Sequence, residues 1–349
     1  MSIPTTTFRL KLPPVLTRWL AVGLLLAACG GTQPTPVATA SPHTPGPLGD
    51  TWFGHGATWR QPGGPQPSPR YSASLAYDIA RNDFVLFGGQ FGGASYDETW
   101  TFDGQTWQRR IPAHKPPPRR DAAMAYDPSL QLVVLYGGVI PDSAEGREAA
   151  DTWTWDGTDW RQVTADNDGP RYRDGARMVT AGKDVILFGG HVSNVRYFGD
   201  AWTLNGSRWV RADHNPSPAG RGDAAVAWNA DDSSLLVIGG LGIRPDAGPG
   251  NLGLPLADGW SLKAGSWSQL TGSGPPALYD ANAMWDQARH SVVVMFGMSC
   301  PNPVNDAWSW NRSAWLRSTV PISARWGAAT AVDTNGNVLV FGGDDETGC

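Results

Sequence analysis

Arginine recurs at one fixed place in this chain. It heads a short Ala/Gly-rich segment at Arg70, Arg120, Arg173, Arg221 and Arg325, and Tyr279 holds the corresponding place in one further copy. A guanidinium presents a planar fork of donors that suits carboxylate and phosphate. Five of them converging would focus an anion: a carboxylate, a phosphate or an acidic peptide. A structural use competes with this one. Asp50, Asp97, Asp151, Asp200, Asp258 and Asp306 recur in the same copies, and each Arg can bridge to one of them. The pocket and the latch both stand open here, and the two roles can coexist.

Other reactive residues are sparse. The six His are scattered without metal-ligand spacing, so no metal and no cofactor is expected. Asp166-Asn167-Asp168-Gly169 begins like a calcium loop but lacks the remaining ligands, and is read as a turn. There is no Gly-x-Ser-x-Gly elbow and no phosphate loop. Glu occurs only at Glu98, Glu145, Glu148 and Glu346, none in an Ala/Gly-rich segment. That scarcity tilts the expectation from catalysis toward binding.

The N-terminus is an address. Arg9, Lys11 and Arg18 precede an apolar run from Trp19 to Ala28, too short for a span that needs ~20 residues. Leu26-Ala27-Ala28-Cys29-Gly30 resembles a bacterial lipobox, which implies cleavage before Cys29 and a diacylglycerol on its sulfur. Residues 1–28 are then a signal peptide. Residues 29–49, rich in Pro and Thr, are a semi-rigid tether. The place implied is the bacterial cell envelope, on the outer leaflet of a membrane and held there by lipid alone. Without the first 28 residues the chain has 24 basic against 32 acidic residues, which argues against a nucleic-acid partner.

The elements that position the arginines form a repeat with a period of 46–58 residues. Pairs of Trp seven residues apart occur at Trp52/Trp59, Trp100/Trp107, Trp153/Trp160, Trp202/Trp209, Trp260/Trp267 and Trp308/Trp315. Each pair predicts a hairpin turning at dipeptides such as Asp103-Gly104, Asp156-Gly157 and Asn205-Gly206, with the two Trp directly opposite. Apolar runs ending in Gly-Gly close at Gly89, Gly138, Gly190, Gly240 and Gly343; a sixth ends at Gly297, with Met298 for the second Gly. These read as buried strands. One unit is four antiparallel strands: small-residue, Gly-Gly, first Trp, second Trp.

The order of Arg-led small-residue strand, Gly-Gly strand and Trp hairpin resembles the kelch repeat, and the likeness spans residues 50–349. It implies an all-β fold, a six-bladed kelch-type β-propeller with four antiparallel strands per blade. The chain enters with a Trp hairpin at residues 50–60 and leaves with the inner strands of residues 325–343, so the last blade is expected to be closed by N- and C-terminal strands. In kelch propellers arginines at this place often line a central pocket, so Arg70, Arg120, Arg173, Arg221, Tyr279 and Arg325 are the candidate ligand site, at the loop face near the axis. Longer loops on that face, 241–257 and 139–150, are further candidates. The partner expected is an extracellular protein, peptide or glycan, and the state expected is a monomer. The alternative is a carbohydrate-active enzyme similar to sialic-acid mutarotases, whose catalytic residues do not map here. The Tyr–Cys cross-link of copper oxidases with this fold is not carried over. Cys300 and Cys349 follow adjacent Gly-Gly-type strands, and in an oxidising compartment a disulfide between them is expected. Closing that loop would contribute about 4 kcal/mol in the chain-entropy picture.

Overall fold

A computed structural model describes residues 44–141, 146–163, 169–193, 195–213, 218–243 and 253–348. The expected leader, Cys29, Cys349, Asp166–Asp168 and most of the 241–257 loop lie outside them. Among the described residues regular structure is entirely β-strand, and no helix is long and apolar enough to cross a membrane.

The strands form six antiparallel sheets whose main path has four strands. The first holds Tyr71–Asp78, Asp83–Phe91, Thr99–Phe102 and Trp107–Arg110, and the second Ala123–Asp127, Leu132–Tyr136, Thr152–Trp155 and Trp160–Val163. The third holds Arg177–Ala181, Asp184–Phe188, Ala201–Asn205 and Arg208–Arg211, and the fourth Ala225–Asn229, Ser234–Ile238, Gly259–Lys263 and Ser266–Gln269. The fifth holds Asn282–Asp286, Ser291–Met295, Asp306–Trp310 and Trp315–Thr319. The sixth takes Ala329–Val332 and Val338–Phe341 from the C-terminal end and Thr51–His55 and Thr58–Arg60 from the N-terminal end. Thr51 pairs with Phe341 and Gly54 with Val338. The folded part reaches further back than residue 50: Leu48 N–H donates to the Gly343 carbonyl at 2.7 Å.

Apolar side chains pack between neighbouring sheets. Phe87 and Val85 of the first sheet meet Trp155, Trp160 and Leu135 of the second, while Leu75 and Phe102 meet Phe341 and Leu339 of the sixth. The second Trp of a hairpin is the cross-sheet rivet. Trp107 Nε1 donates to Thr51 Oγ1, Trp160 to Thr99 and Trp209 to Thr152, at 2.9–3.0 Å, each on the preceding sheet.

Hairpin register differs from the expectation. Trp160 lies opposite Trp155, not Trp153, and Trp209 opposite Leu204, not Trp202. In the third sheet Asn205 pairs with Arg208 and the two-residue turn is Gly206-Ser207; in the first two sheets the cause is side-chain capping of the turn. Asp103 Oδ1 accepts from the amides of Gln105 and Thr106, and Asp156 Oδ1 from Thr158 and Asp159, so the Asp opens a longer loop instead of sitting centrally in a two-residue one. The two Trp of a hairpin are diagonal neighbours on one face.

The Gly-Gly pairs mark where one sheet's second strand grazes the next sheet. Gly88 and Gly89 take φ of 72° and 88°. A Cβ on Gly88 would meet the Arg119 carbonyl oxygen at 2.4 Å. In the fifth sheet Phe296, φ 62°, holds the first Gly position and Gly297 the second, so the odd residue is Phe296 and not Met298. The assignment follows from Gly297 N–H donating to the Arg325 carbonyl, just as Gly89 N–H donates to that of Arg119.

Candidate functional site

The recurring arginines are buried latches. Arg173 donates to both carboxylate oxygens of Asp200 at 2.5 and 3.0 Å, and to the Gly189 carbonyl. Arg221 grips Asp258 and Arg325 grips Asp50 in the same two-pronged way, with the carbonyls of Gly239 and Gly342 as third acceptors. Arg70 reaches Glu98 at 2.7 Å, not Asp97, whose partner is Lys115. In the second sheet the latch is Arg119, paired with Asp151 at 2.7 and 2.9 Å; Arg120 is the next residue and pairs with Asp121. In the fifth sheet the place belongs to buried Leu278, not Tyr279. Burial opposes ionisation of Asp50, Asp151, Asp200 and Asp258, yet the Arg fork and the indole N–H of the next-but-one Trp hold each below its ordinary pKa. With their nitrogens committed, Arg70, Arg173, Arg221 and Arg325 have no fork to offer an anion.

The polar centre forms two residues further on. Ser72, Asp121, Gly175, Asp223, Asp280 and Gly327 each take a left-handed φ between 51° and 61°. Gly takes that backbone freely, and Asp more readily than most other residues. The amide of each donates to the carbonyl of its counterpart in the preceding sheet, from Asp121 on Ser72 round to Gly327 on Asp280, and Ser72 donates to Gly327 at 2.8 Å. The six donations form a circuit.

Three of those residues are Asp, and their carboxylates crowd together. Arg177 reaches Asp280 at 2.9 Å and Asp223 at 3.6 Å. His191 stands between Asp223, hydrogen-bonded to Nε2 at 3.1 Å, and Asp174, 3.0 Å from Nδ1 in an ion contact outside hydrogen-bond geometry. Its ring lies over Gly222, where a Cβ would sit 2.2 Å from Cδ2. Burial disfavours the imidazolium, but the carboxylates of Asp174 and Asp223 override this and push His191 up to about 11. Burial raises Asp280 well above the usual range, and the Asp223 charge adds to it. Asp223 goes the other way: burial opposes its ionisation, and His191 and Arg177 overcome that. Arg120, Arg177 and His191 thus face Asp121, Asp174, Asp223 and Asp280, and burial favours the neutral form of Asp174 and Asp280.

Below the circuit a cavity of about 360 Å³ runs along the inner strands to their turn ends. Arg177, Asp121 and Asp280 border its polar end; Met124, Tyr126, Trp228 and Trp285 are among its walls, and Ile79 and Thr334 lie at the far rim. On the loop side Tyr71 and Trp326 rings lie 5.1 Å apart, with Tyr279 in the equivalent place of the fifth sheet. Sequence reasoning missed the Asp121, Asp223, Asp280, Arg177 and His191 cluster. Its one signal was Ser, Asp or Gly recurring two places after each latch residue.

These charges predict an alkaline weakness. The raised His191 pKa stabilises the fold fully below its unfolded value of 6.5, and the contribution is lost as pH climbs from there toward about 11. The raised Asp280 and Asp174 act in the same direction. The lowered latch carboxylates act oppositely, contributing above 3.8 and losing their contribution as pH falls through their folded values. Urea midpoints should therefore be highest near pH 5–6 and fall by pH 9, with His191→Gln flattening the alkaline limb. An unchanged limb in that variant would show the imidazolium to be absent.

The described chain is thus an all-β protein of repeated four-stranded antiparallel sheets. No family model matches it. It is 27% identical over 135 residues to Adagio-like protein 3 of Oryza sativa subsp. japonica, a stretch covering 38% of this chain and 20% of that protein. The chain therefore spans about a fifth of that relative's length.

Proposed function

We propose that the sheets are the blades of a closed, six-bladed kelch-type β-propeller that captures an extracellular glycan or peptide in its axial cavity, as a monomer tethered by lipid on Cys29 to the outer leaflet of a cell-envelope membrane. The circuit of axial hydrogen bonds and the sixth sheet drawn from both chain ends support closure. The observation that carries the binding reading is the cavity: about 360 Å³, walled by apolar and aromatic side chains, with the Arg177–Asp280 pair in its lining. A mostly apolar recess with a few converging polar groups is the usual form of a small-ligand site. The lining of the cavity runs from Asp121 and Asp280 to Ile79 and Thr334.

One observation favours a second reading. Burial pushes the Asp280 carboxyl well above its usual range beside Arg177, and an acid so shifted at a cavity wall suits donation to a ring or leaving oxygen, as a mutarotase-like enzyme requires.

A screen of immobilised glycans and peptides with the purified full-length protein tests both. Trp228→Ala should weaken capture at least tenfold, while Cys29→Ala should bind like the parent yet leave the membrane fraction and take up no palmitate. Parental affinity in Trp228→Ala would move the site off the axis. Parental fractionation and labelling of Cys29→Ala would remove the tether. Sugar anomerisation by the parent that is lost in Asp280→Asn would select the enzyme.

A further inference from the structure

The third sheet carries a second recess, on its loop side and away from the axial cavity, of about 560 Å³ and lined by Arg171, Arg173, Arg196, Arg211, Tyr197, Phe198, Asp200 and Trp202 among others. Its charge is unbalanced. Asp200 is occupied by Arg173 and by the Trp202 indole, and Asp213 by Arg211. Arg171 and Arg196 are exposed and have no carboxylate within ion-pair distance among the described residues. Among the described residues four guanidinium groups thus stand against two carboxylates, Asp200 in the lining and Asp213 outside it, on a chain whose net charge is −5.

The surplus is peculiar to this sheet. Two residues before each latch stand Ser68, Pro117, Arg171, Ala219, Pro276 and Ser323, so only here is an Arg placed there. Arg also lies opposite the first Trp in the first and fifth sheets, at Arg109 and Arg317, but there it pairs with the third-strand acids Glu98 and Asp306. In the third sheet the equivalent Arg211 is turned instead to Asp213, with Nε at 2.8 Å, and lies 5.4 Å over Trp202. Arg173 and Arg196 both lie over Phe198, at 4.0 and 5.1 Å. Stacking on Phe198 holds the exposed Arg196 plane ready, so less rotamer freedom is lost when it meets an anion. The scaffold needs none of these additions, since the other sheets fold without them.

We propose that this recess binds the oxyanion group of an acidic glycan. Arg171 and Arg196 meet the carboxylate or sulfate, and the exposed surfaces of Tyr197 and Trp202 meet the apolar face of the sugar ring. A ring-sized concave site with aromatic walls suits a sugar better than an extended acidic peptide, which takes its affinity from main-chain pairing along a strand edge. The site is independent of the axial cavity.

Titration calorimetry of the full-length protein with oligogalacturonate, with polyglutamate of equal charge and with inorganic sulfate tests it. Oligogalacturonate should bind tightest, sulfate should compete, and affinity should fall as salt rises. Arg171→Ala/Arg196→Ala should lose at least tenfold while melting like the parent, and Arg171→Lys should recover part of the loss. Trp228→Ala, which tests the axial cavity, should bind like the parent. Polyglutamate binding as tightly as oligogalacturonate would overturn the glycan assignment. No millimolar binding by the parent, or equal binding by the double variant, would overturn the site.

Discussion

Deleting residues 50–60 is expected to abolish cooperative folding. The segment forms the outer half of the sixth sheet, pairing Thr51 to Gly54 with Phe341 to Val338. Without it the Val338–Phe341 edge is bare, with its apolar faces meeting water. Arg325 keeps its buried guanidinium and loses Asp50, a change that costs about 3–5 kcal/mol when one partner of a buried pair is removed. Trp107 Nε1 loses Thr51 Oγ1, and the Gly342 amide loses the Asp50 carbonyl, each a buried donor worth roughly 1–3 kcal/mol when orphaned. Together these losses match the total stability of about 5–15 kcal/mol typical of a domain. Circular dichroism on a thermal ramp decides the matter: a deletion variant that melts cooperatively within a few degrees of the parent would show the terminal strands to be dispensable.

Arg173→Ala should destabilise by about 3–5 kcal/mol, because it removes both prongs on Asp200 and leaves a largely buried carboxylate held by Trp202 alone among its hydrogen-bond donors. The fifth sheet supplies the internal control. Leu278 stands where the latch Arg would be, Asp306 is paired from outside by Arg317, whose side chain is 63% exposed, and the buried Trp308 Nε1 has no partner. Arg317→Ala should cost no more than about 1 kcal/mol, as exposed pairs do. Urea denaturation of both variants is the measurement. Equal losses would mean that burial adds nothing to the latch, and that the arginines are surface pairs like any other.

Strand identity was legible wherever residue type is dictated by packing. Continuous apolar runs ending in Gly-Gly announce buried strands that graze a neighbour, and the Trp hairpin at residues 50–60 without its inner strands points to a partner at the other end of the chain. Register was not legible. In the first two sheets it is set by whether Asp103 or Asp156 caps a turn or sits inside it, and the dipeptide is the same in both cases. The doublet Arg119-Arg120 hid which residue is the latch, since either can lead the segment and only the backbone pairing separates them. The axial site was illegible for a different cause. His191 follows Gly190 as a lone histidine with no spacing to any other ligand, and its two carboxylates come from Asp174 and Asp223, on other strands. Neither charge balance nor a shared proton leaves a trace along a single chain.

The axial circuit demands a backbone angle and leaves chemistry free. Ser72, Asp121, Gly175, Asp223, Asp280 and Gly327 are held by the same amide-to-carbonyl donation whatever their side chains are. At Gly327 an added Cβ would meet nothing nearer than 3.5 Å, so that place has room for a side chain, whereas at Gly175 it would lie 2.6 Å from Asp223 Oδ1 and the place is held to Gly. A duplicated unit would arrive with its place in the circuit already formed, and one codon change at a roomy place such as Gly327 would add a carboxylate to the circuit. The same freedom lets a protein engineer rewrite the charge at the axis one position at a time, with the latches and the Trp rivets as a constant frame.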